Sequence, residues 1–362
     1  MNLVVDCRYT RIGHHDGISR FTAGLVAELG RRQPVTMLIS DHRQLELLPN
    51  LPWQLISAPT SPLEPFVARQ VRKLRPDVVF SPMQTMGSRG RNYRLILTLH
   101  DLIYYVHRTP PRDLPAPVRL LWRLFHLAWW PQRMLLNGAD AVATVSQTTA
   151  DLIRQHRLTT KPIGVVPNAA DGLPLPPLPR TKSLTRTLIY MGAFAPYKGV
   201  ETLVQAMAEL PGYELHLLSR ISESDRERLQ QLAPNAALVF HNGVSDAKYA
   251  ELLGSATALV HASHDEGFGI PLVEAMRAGT PVVVSDIPIF REIAGDAGVF
   301  FPVGDAAGLV AAVQSLEGGN TWEQRSEASV ARAANYTWAK AADALLELIA
   351  ATDDPLTAKS TP

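Results

Sequence analysis

HDEGFGIPLVEAM, residues 264–276, follows an apolar run from Ala256 to Ala262 that reads as a buried parallel strand. It leads into a short helix with Pro271 in its first turn and Gly279 just past its end. The order is strand, glycine loop, helix. Gly267 and Gly269 bracket Phe268, so the backbone there is expected to take positive φ and to let a ligand approach without a Cβ in the way. The unpaired amides at the helix start favour an anion. Glu266 in the loop and Glu274, expected in the helix's first turn, flank that anion site and are expected to face one elongated ligand. A carboxylate on either side of an anion hole suits a phosphorylated, hydroxyl-rich molecule such as a nucleotide sugar.

Outward from this stretch, 362 residues are too many for one ordinary core and predict about two domains. The net charge is only +1, but it is unevenly placed. Residues 1–172 hold 21 Lys and Arg against 12 Asp and Glu, and the remainder holds 14 against 22. The amino-terminal half is therefore basic, which fits either an anionic partner or an Arg-rich solvated surface. A single cysteine, Cys7, excludes an internal disulfide and fits a reducing compartment. No signal peptide is legible at Met1–Asp6, and no run of about 18 apolar residues is present, so a cytoplasmic protein is expected.

In chain order, residues 2–7 read as a first buried strand, followed by a loop with Arg11, His14 and His15 and by a helix opening at Gly17. Residues 35–40, 77–81 and 94–98 read as further strands, the last ending in His100-Asp101, where doubly wound sheets collect ligands. Leu120 to Met134 interleaves apolar residues with arginines; it reads as a helix packed beside the sheet with a basic rim, or as a helix lying on a membrane surface. Residues 139–145 and 163–167 are strands, with Ser146 placed to cap the intervening helix. Leu173 to Arg180 is too rich in proline for a helix or a central strand. After it, residues 187–190 lead through Gly192 to Lys198 and Gly199, a second turn that faces phosphate, and into a helix with one apolar face. Strand and helix then alternate to a final amphipathic helix.

The Glu266 to Glu274 motif with the following AMRAGTPVVVSD resembles the signature of retaining nucleotide-sugar glycosyltransferases of the GT-B fold, of the large fourth family. That resemblance implies an α/β chain with two Rossmann-like doubly wound domains facing a central cleft. The domains are expected over residues 1–172, for the acceptor, and 185–336, for the nucleotide sugar. Residues 173–184 form the linker, a helix over about 339–351 crosses back to the first domain, and 352–362 form a tail.

The resemblance also assigns roles. Lys198 would pair with the donor diphosphate, Glu274 with the ribose hydroxyls, and Glu266 with the sugar hydroxyls near the anomeric centre. His100 would serve the sugar and acceptor side. Gly17, Gly192, Ser219, Val244, Gly267, Phe268, Gly269 and Ile270 complete the donor site. Arg11, His14, His15 and Asp101 are candidates on the acceptor side. Many relatives carry an arginine after the glycine at 192 or before the lysine, and this chain has Ala193 and Tyr197 there, leaving Lys198 as the strong cation.

No Asp-x-Asp pair occurs, so no metal or other cofactor is expected. The expected activity is hexose transfer, by preference mannose, from a nucleotide diphosphate sugar to a glycan or lipid-linked acceptor, with peripheral contact to an anionic membrane through the basic half and no nucleic-acid partner. The competing readings are a nucleotide-sugar epimerase, a glycoside phosphorylase of the same fold, and a non-catalytic nucleotide-sugar-binding subunit. A dehydrogenase fits less well, because no Gly-x-Gly-x-x-Gly follows the first strand.

Overall fold

The computed structural model describes residues 1–110, 116–175, 178–180 and 185–352. Part of the expected linker (176–177, 181–184) and nearly all of the expected tail (353–362) lie outside the described residues. The chain divides into two compact units, Met1–Ala169 with Trp338–Pro362, and Ala170–Thr337.

In the first unit, β1 (Leu3–Asp6), α1 (Gly17–Arg32), β2 (Val35–Ile39), β3 (Trp53–Leu55), α2 (Ala68–Val71), β4 (Val78–Ser81), β5 (Arg94–Leu99), α3 (Ile103–Val106), α4 (Ala116–Phe125), α5 (Trp130–Asn137), β6 (Ala141–Thr144), α6 (Gln147–Gln155) and β7 (Ile163–Val165) follow in order. The strands form one parallel sheet in the order β3-β2-β1-β4-β5-β6-β7. Strands such as VVFS and AVAT are buried at every position, because helices cover both faces of a parallel sheet. Asp16 caps α1 by accepting the Ser19 N–H at 2.8 Å, and Arg31 and Arg32 close its carboxyl end, where cations suit the dipole. Phe21, Leu25, Val26 and Leu29 form its buried face, as the sequence periodicity predicts.

The second unit contains β8 (Thr187–Tyr190), α7 (Val200–Met207), β9 (Glu214–Leu217), α8 (Glu223–Leu232), β10 (Leu238–Phe240), α9 (Asp246–Ser255), β11 (Ala258–His261), α10 (Ile270–Arg277), β12 (Val282–Ser285), α11 (Pro288–Ala294), β13 (Val299–Phe301), α12 (Ala306–Ser315) and α13 (Thr321–Ala333). Its parallel sheet runs β10-β9-β8-β11-β12-β13. That is the doubly wound order in which the strand order reverses between the first and fourth strands, β8 and β11. The last helix, α14 (Trp338–Ala351), belongs to the first unit. There the Trp338 indole lies against Gly24 of α1, where a Cβ would stand 2.1 Å from the ring.

Three expectations change. Leu120 to Met134 is not a buried helix with a basic rim. It is two short helices divided before Pro131, and only their inner residues, including Phe125, Trp129 and Leu136, join a core. Leu120, Leu121, Leu124, Leu127, Trp130 and Met134 are exposed, the least of them at 54%. The basic excess is also partly internal: the Arg8 guanidinium, fully buried, donates to both oxygens of Asp6 and to both of Glu64 at 2.7–2.9 Å. Finally, the edge strand β3 and the helix α13 were not anticipated, and Glu274 sits in the second turn of its helix rather than the first.

Candidate active site

Because β8 and β11 are neighbours, the two glycine loops that follow them meet at the carboxyl edge of the sheet, where doubly wound folds bind ligands. Backbone locks them together. The His264 N–H donates to the Tyr197 carbonyl at 2.7 Å. Gly199, at φ +61°, lies so close to Ala262 that a Cβ would stand 2.2 Å from the Ala262 carbonyl oxygen. A glycine is required there for space as well as for its left-handed backbone.

This join brings Lys198 to Glu266. The ammonium donates to Oε1 of Glu266, with both side chains nearly buried, and it also lies 5.2 Å from the centre of the Tyr197 ring. The same oxygen accepts from the Ser263 hydroxyl at 3.1 Å, and the Ser285 hydroxyl in turn holds the Ser263 carbonyl. Burial opposes ionisation of Glu266, but the charge of Lys198 and the two hydrogen bonds outweigh it, and the carboxyl is held below its ordinary range. His261 is buried, and burial takes its pKa down to about 4. It is therefore neutral at pH 7. Since a carbonyl only accepts, Nε2 carries the proton and donates to the Met191 carbonyl at 3.0 Å.

The loop itself is tighter than its glycines suggested. Of the two, only Gly269 takes positive φ, at +94°, as the residue before α10. Gly267, Phe268 and Gly269 are buried, and the Phe268 ring packs edge-on against Tyr336 at 5.6 Å. Ile270 is half-buried at the helix start, and Glu274 is 5% exposed. Gly192 is crowded by the Tyr190 hydroxyl, 2.7 Å from where a Cβ would stand, and its N–H donates to the Ser219 hydroxyl at 3.0 Å. Val244 follows Gly243, whose N–H returns to the Leu218 carbonyl at 2.9 Å, so both residues stand just beyond β9 and β10.

The remaining candidates belong to the first unit. His100, just past β5, donates from Nε2 to the Pro82 carbonyl at 2.7 Å, which leaves Nδ1 as an acceptor; burial lowers its pKa and keeps it neutral. Asp101 accepts the Ile103 N–H at 3.0 Å. Both line a cavity of about 140 Å³. Arg11 is turned to Asp16, at 2.8 Å, and so braces the cap of α1 ahead of Gly17. His14 is exposed and His15 half-buried. A wider depression at Met1, Asp77, Arg91 and Asp140 lies at the amino ends of the strands, the edge opposite to where such sheets hold ligands.

Sequence reasoning missed Ser263, Ser285 and His261. Their signal was faint: a serine three residues before Glu266, and a histidine closing an apolar strand.

Models of two families match the chain, "Glycosyl transferases group 1" over residues 180–334 and "Glycosyltransferase Family 4" over residues 15–171. The chain is similar to the phosphatidyl-myo-inositol mannosyltransferase of Mycolicibacterium smegmatis, 41% identical over 138 residues, 35% of either chain. It is also similar to the O-antigen chain mannosyltransferase RfbU of Salmonella typhimurium, 28% identical over 51% of this chain and 53% of that one. These matches thus span about a third to a half of the relatives' length. Among solved structures, sucrose-phosphate synthase from Thermosynechococcus elongatus superposes with a TM-score of 0.74 at 20% identity, over 97% of this chain and 99% of that one. Anabaena HepE in complex with UDP-glucose superposes at 0.70 and 17% identity, over 97% and 100%. Both share the fold.

Proposed function

The chain belongs to the group 1 glycosyltransferases of family four, and from that premise we propose that it moves a hexose from a nucleotide diphosphate sugar to a glycan or lipid-linked acceptor, with retention and without a metal. The observation that carries this reading is the meeting of Lys198, Glu266 and the start of α10 where the β8 and β11 loops join. An ammonium has three N–H donors, and Glu266 takes one, so Lys198 keeps donors for phosphate oxygens while its charge is balanced. A helix start contributes about 0.3–2 kcal/mol to an anion, well short of the roughly 8 kcal/mol of a micromolar complex. Charge-assisted bonds from Lys198 and to Glu274, about 1.5–3 kcal/mol each, supply much of the difference.

In the proposed step the acceptor oxygen attacks from the leaving-group side. Its bond to the anomeric carbon forms as the bond to the diphosphate breaks, and the acceptor proton passes to the departing phosphate oxygen. Lys198 stabilises the charge that builds on the diphosphate. Glu266 holds the sugar hydroxyls near the reacting carbon. Mannose is the proposed sugar because the curated relatives are mannosyltransferases by name. A panel of GDP- and UDP-sugars tested by thermal shift checks the donor, since a ligand at about 100 times its Kd adds about 2.7 kcal/mol. No stabilisation by any of them would end this reading.

The exposed leucines favour the membrane contact as well. At 100° per residue, Leu120, Leu121 and Leu124 fall on one side of α4, continued by Leu127, with Arg119 and Arg123 on the flank and Trp122 and Phe125 on the inner side. Apolar residues beside arginines, in the basic half of the chain, suit an anionic bilayer surface. No helix among the described residues is long and apolar enough to cross a membrane.

A further inference from the structure

The strand β11 ends on a histidine that packing alone does not ask for. Ala258, Leu259 and Val260 are apolar and buried, and His261, 1% exposed, completes the run with a polar ring. The imidazole lies beside the Tyr190 and Phe290 rings, with centroids 4.9 Å and 6.0 Å away, a setting that suits an apolar side chain equally well. Burying a polar group is costly unless its polar atoms find partners. What distinguishes His261 from an apolar residue is therefore what its two nitrogens hold.

Those nitrogens face two different loops. Nε2 donates to the Met191 carbonyl at 3.0 Å, and the same peptide unit is held at its other end, where the Gly192 N–H donates to the Ser219 hydroxyl at 3.0 Å. With that peptide fixed, the ring cannot turn without giving up its bond, and the bare Nδ1 stays directed at the Ser263 hydroxyl, 3.4 Å away. Ser263 is fully buried, and its carbonyl accepts from the Ser285 hydroxyl. Its own hydroxyl has one proton and two acceptors within reach, Nδ1 of His261 and, at 3.1 Å, Oε1 of Glu266. The carboxylate is closer and charged, so it takes the proton. Nδ1 is the alternative acceptor, and both settings of the hydroxyl lie on the path from His261 to Glu266.

We propose that His261 is a positioning residue for the sugar end of the donor site: through Ser263 it fixes the Glu266 carboxylate without touching the ligand itself. This deepens the transferase reading and rests on it, because Glu266 matters here as the group that holds the sugar hydroxyls. The test titrates the full chain and three variants by calorimetry with GDP and GDP-mannose, and in parallel with UDP and UDP-glucose. His261→Phe keeps a ring and removes both nitrogens. His261→Asn keeps an amide that ends one bond short of Met191, whereas His261→Gln carries a donor for Met191 and an acceptor for Ser263. In the Phe and Asn variants the sugar nucleotide is expected to bind about three- to tenfold more weakly, and the free nucleotide to change by less than about twofold, because the lost hydrogen bonds act at the sugar end. The Gln variant is expected to restore the native ratio of the two affinities. A histidine with only a structural role would weaken both ligands alike, together with the melting temperature. His261→Asn decides the matter if His261→Phe does not fold. Equal losses for both ligands, no loss for either, or a Gln variant as weak as the Phe one overturns the proposal and leaves the transferase reading in place, provided the native chain binds a sugar nucleotide. A native chain that binds neither sugar nucleotide removes that reading and this proposal together.

Discussion

The Ser263 hydroxyl donates to Oε1 of Glu266 across 3.1 Å, the same oxygen that receives the Lys198 ammonium. One carboxylate oxygen is thus fixed from the strand side and from the neighbouring loop. Glu266→Ala and Lys198→Ala are expected to lose transfer by at least about a hundredfold, as when one transition-state stabiliser is deleted. Ser263→Ala is expected to lower kcat by about threefold to tenfold with little change in donor affinity, because it removes one hydrogen bond and no contact with the nucleotide. Steady-state kinetics and donor titration check all three; near-native turnover in Lys198→Ala would remove its assigned role.

Gly199→Ala probes the join between the two loops. Its Cβ would press on the Ala262 carbonyl, which is backbone and has little room to yield, and its φ is left-handed. A loss of about 1–3 kcal/mol in urea unfolding is expected, together with weaker donor binding as Lys198 shifts. A variant as stable as the native protein would show that the loops do not constrain each other.

Acidification should weaken the second unit through His261. Burial sets its folded pKa at about 4, against about 6.5 in an unfolded chain. Above the higher value both states are neutral and nothing changes. Between the two, only the unfolded state takes up the proton, so stability falls with falling pH and levels off below the folded value, by about 3 kcal/mol in all. His261→Phe should reduce that slope in urea titrations at about pH 7 and pH 4.5. It should not abolish the slope, since burial also lowers the pKa of His100, His126 and His241. An unchanged slope would contradict the buried neutral state.

Replacing Leu120, Leu121, Leu124 and Leu127 by serine tests the exposed face of α4 and its continuation. Exposed substitutions of this kind usually change stability by no more than about 0.5 kcal/mol each. Sedimentation with phosphatidylglycerol vesicles should fall strongly, and binding by the native chain should decrease with added salt. Equal sedimentation of the two proteins would exclude this surface. A shift in oligomeric state on substitution, without vesicle binding by the native chain, would assign the face to a second copy of the chain.

What the sequence made legible was whatever depends on neighbours along the chain. The apolar run before His264, Pro271 at the helix start and the alternation of strands with helices announced the second unit, because periodicity and caps are local. Gly199 was legible as a turn residue, but the carbonyl that forbids a side chain comes from Ala262. The Lys198 and Glu266 pair was likewise hidden, since each residue was assigned to the ligand and neither to the other. The outer leucines of α4 misled for the opposite reason: an apolar face was visible, but what covers it is a tertiary fact. The strand β3 is three residues long with all of them exposed, too short to leave a pattern.

Trp338, seated on Gly24 of α1, carries a practical warning for dissection. A fragment ending near Ala169 would lack the helix that shields one side of its own interior, and would bare that greasy surface to aggregation. Excising the first lobe therefore calls for splicing its distant carboxyl-terminal segment back on, whereas residues 170–337 form one uninterrupted stretch of chain.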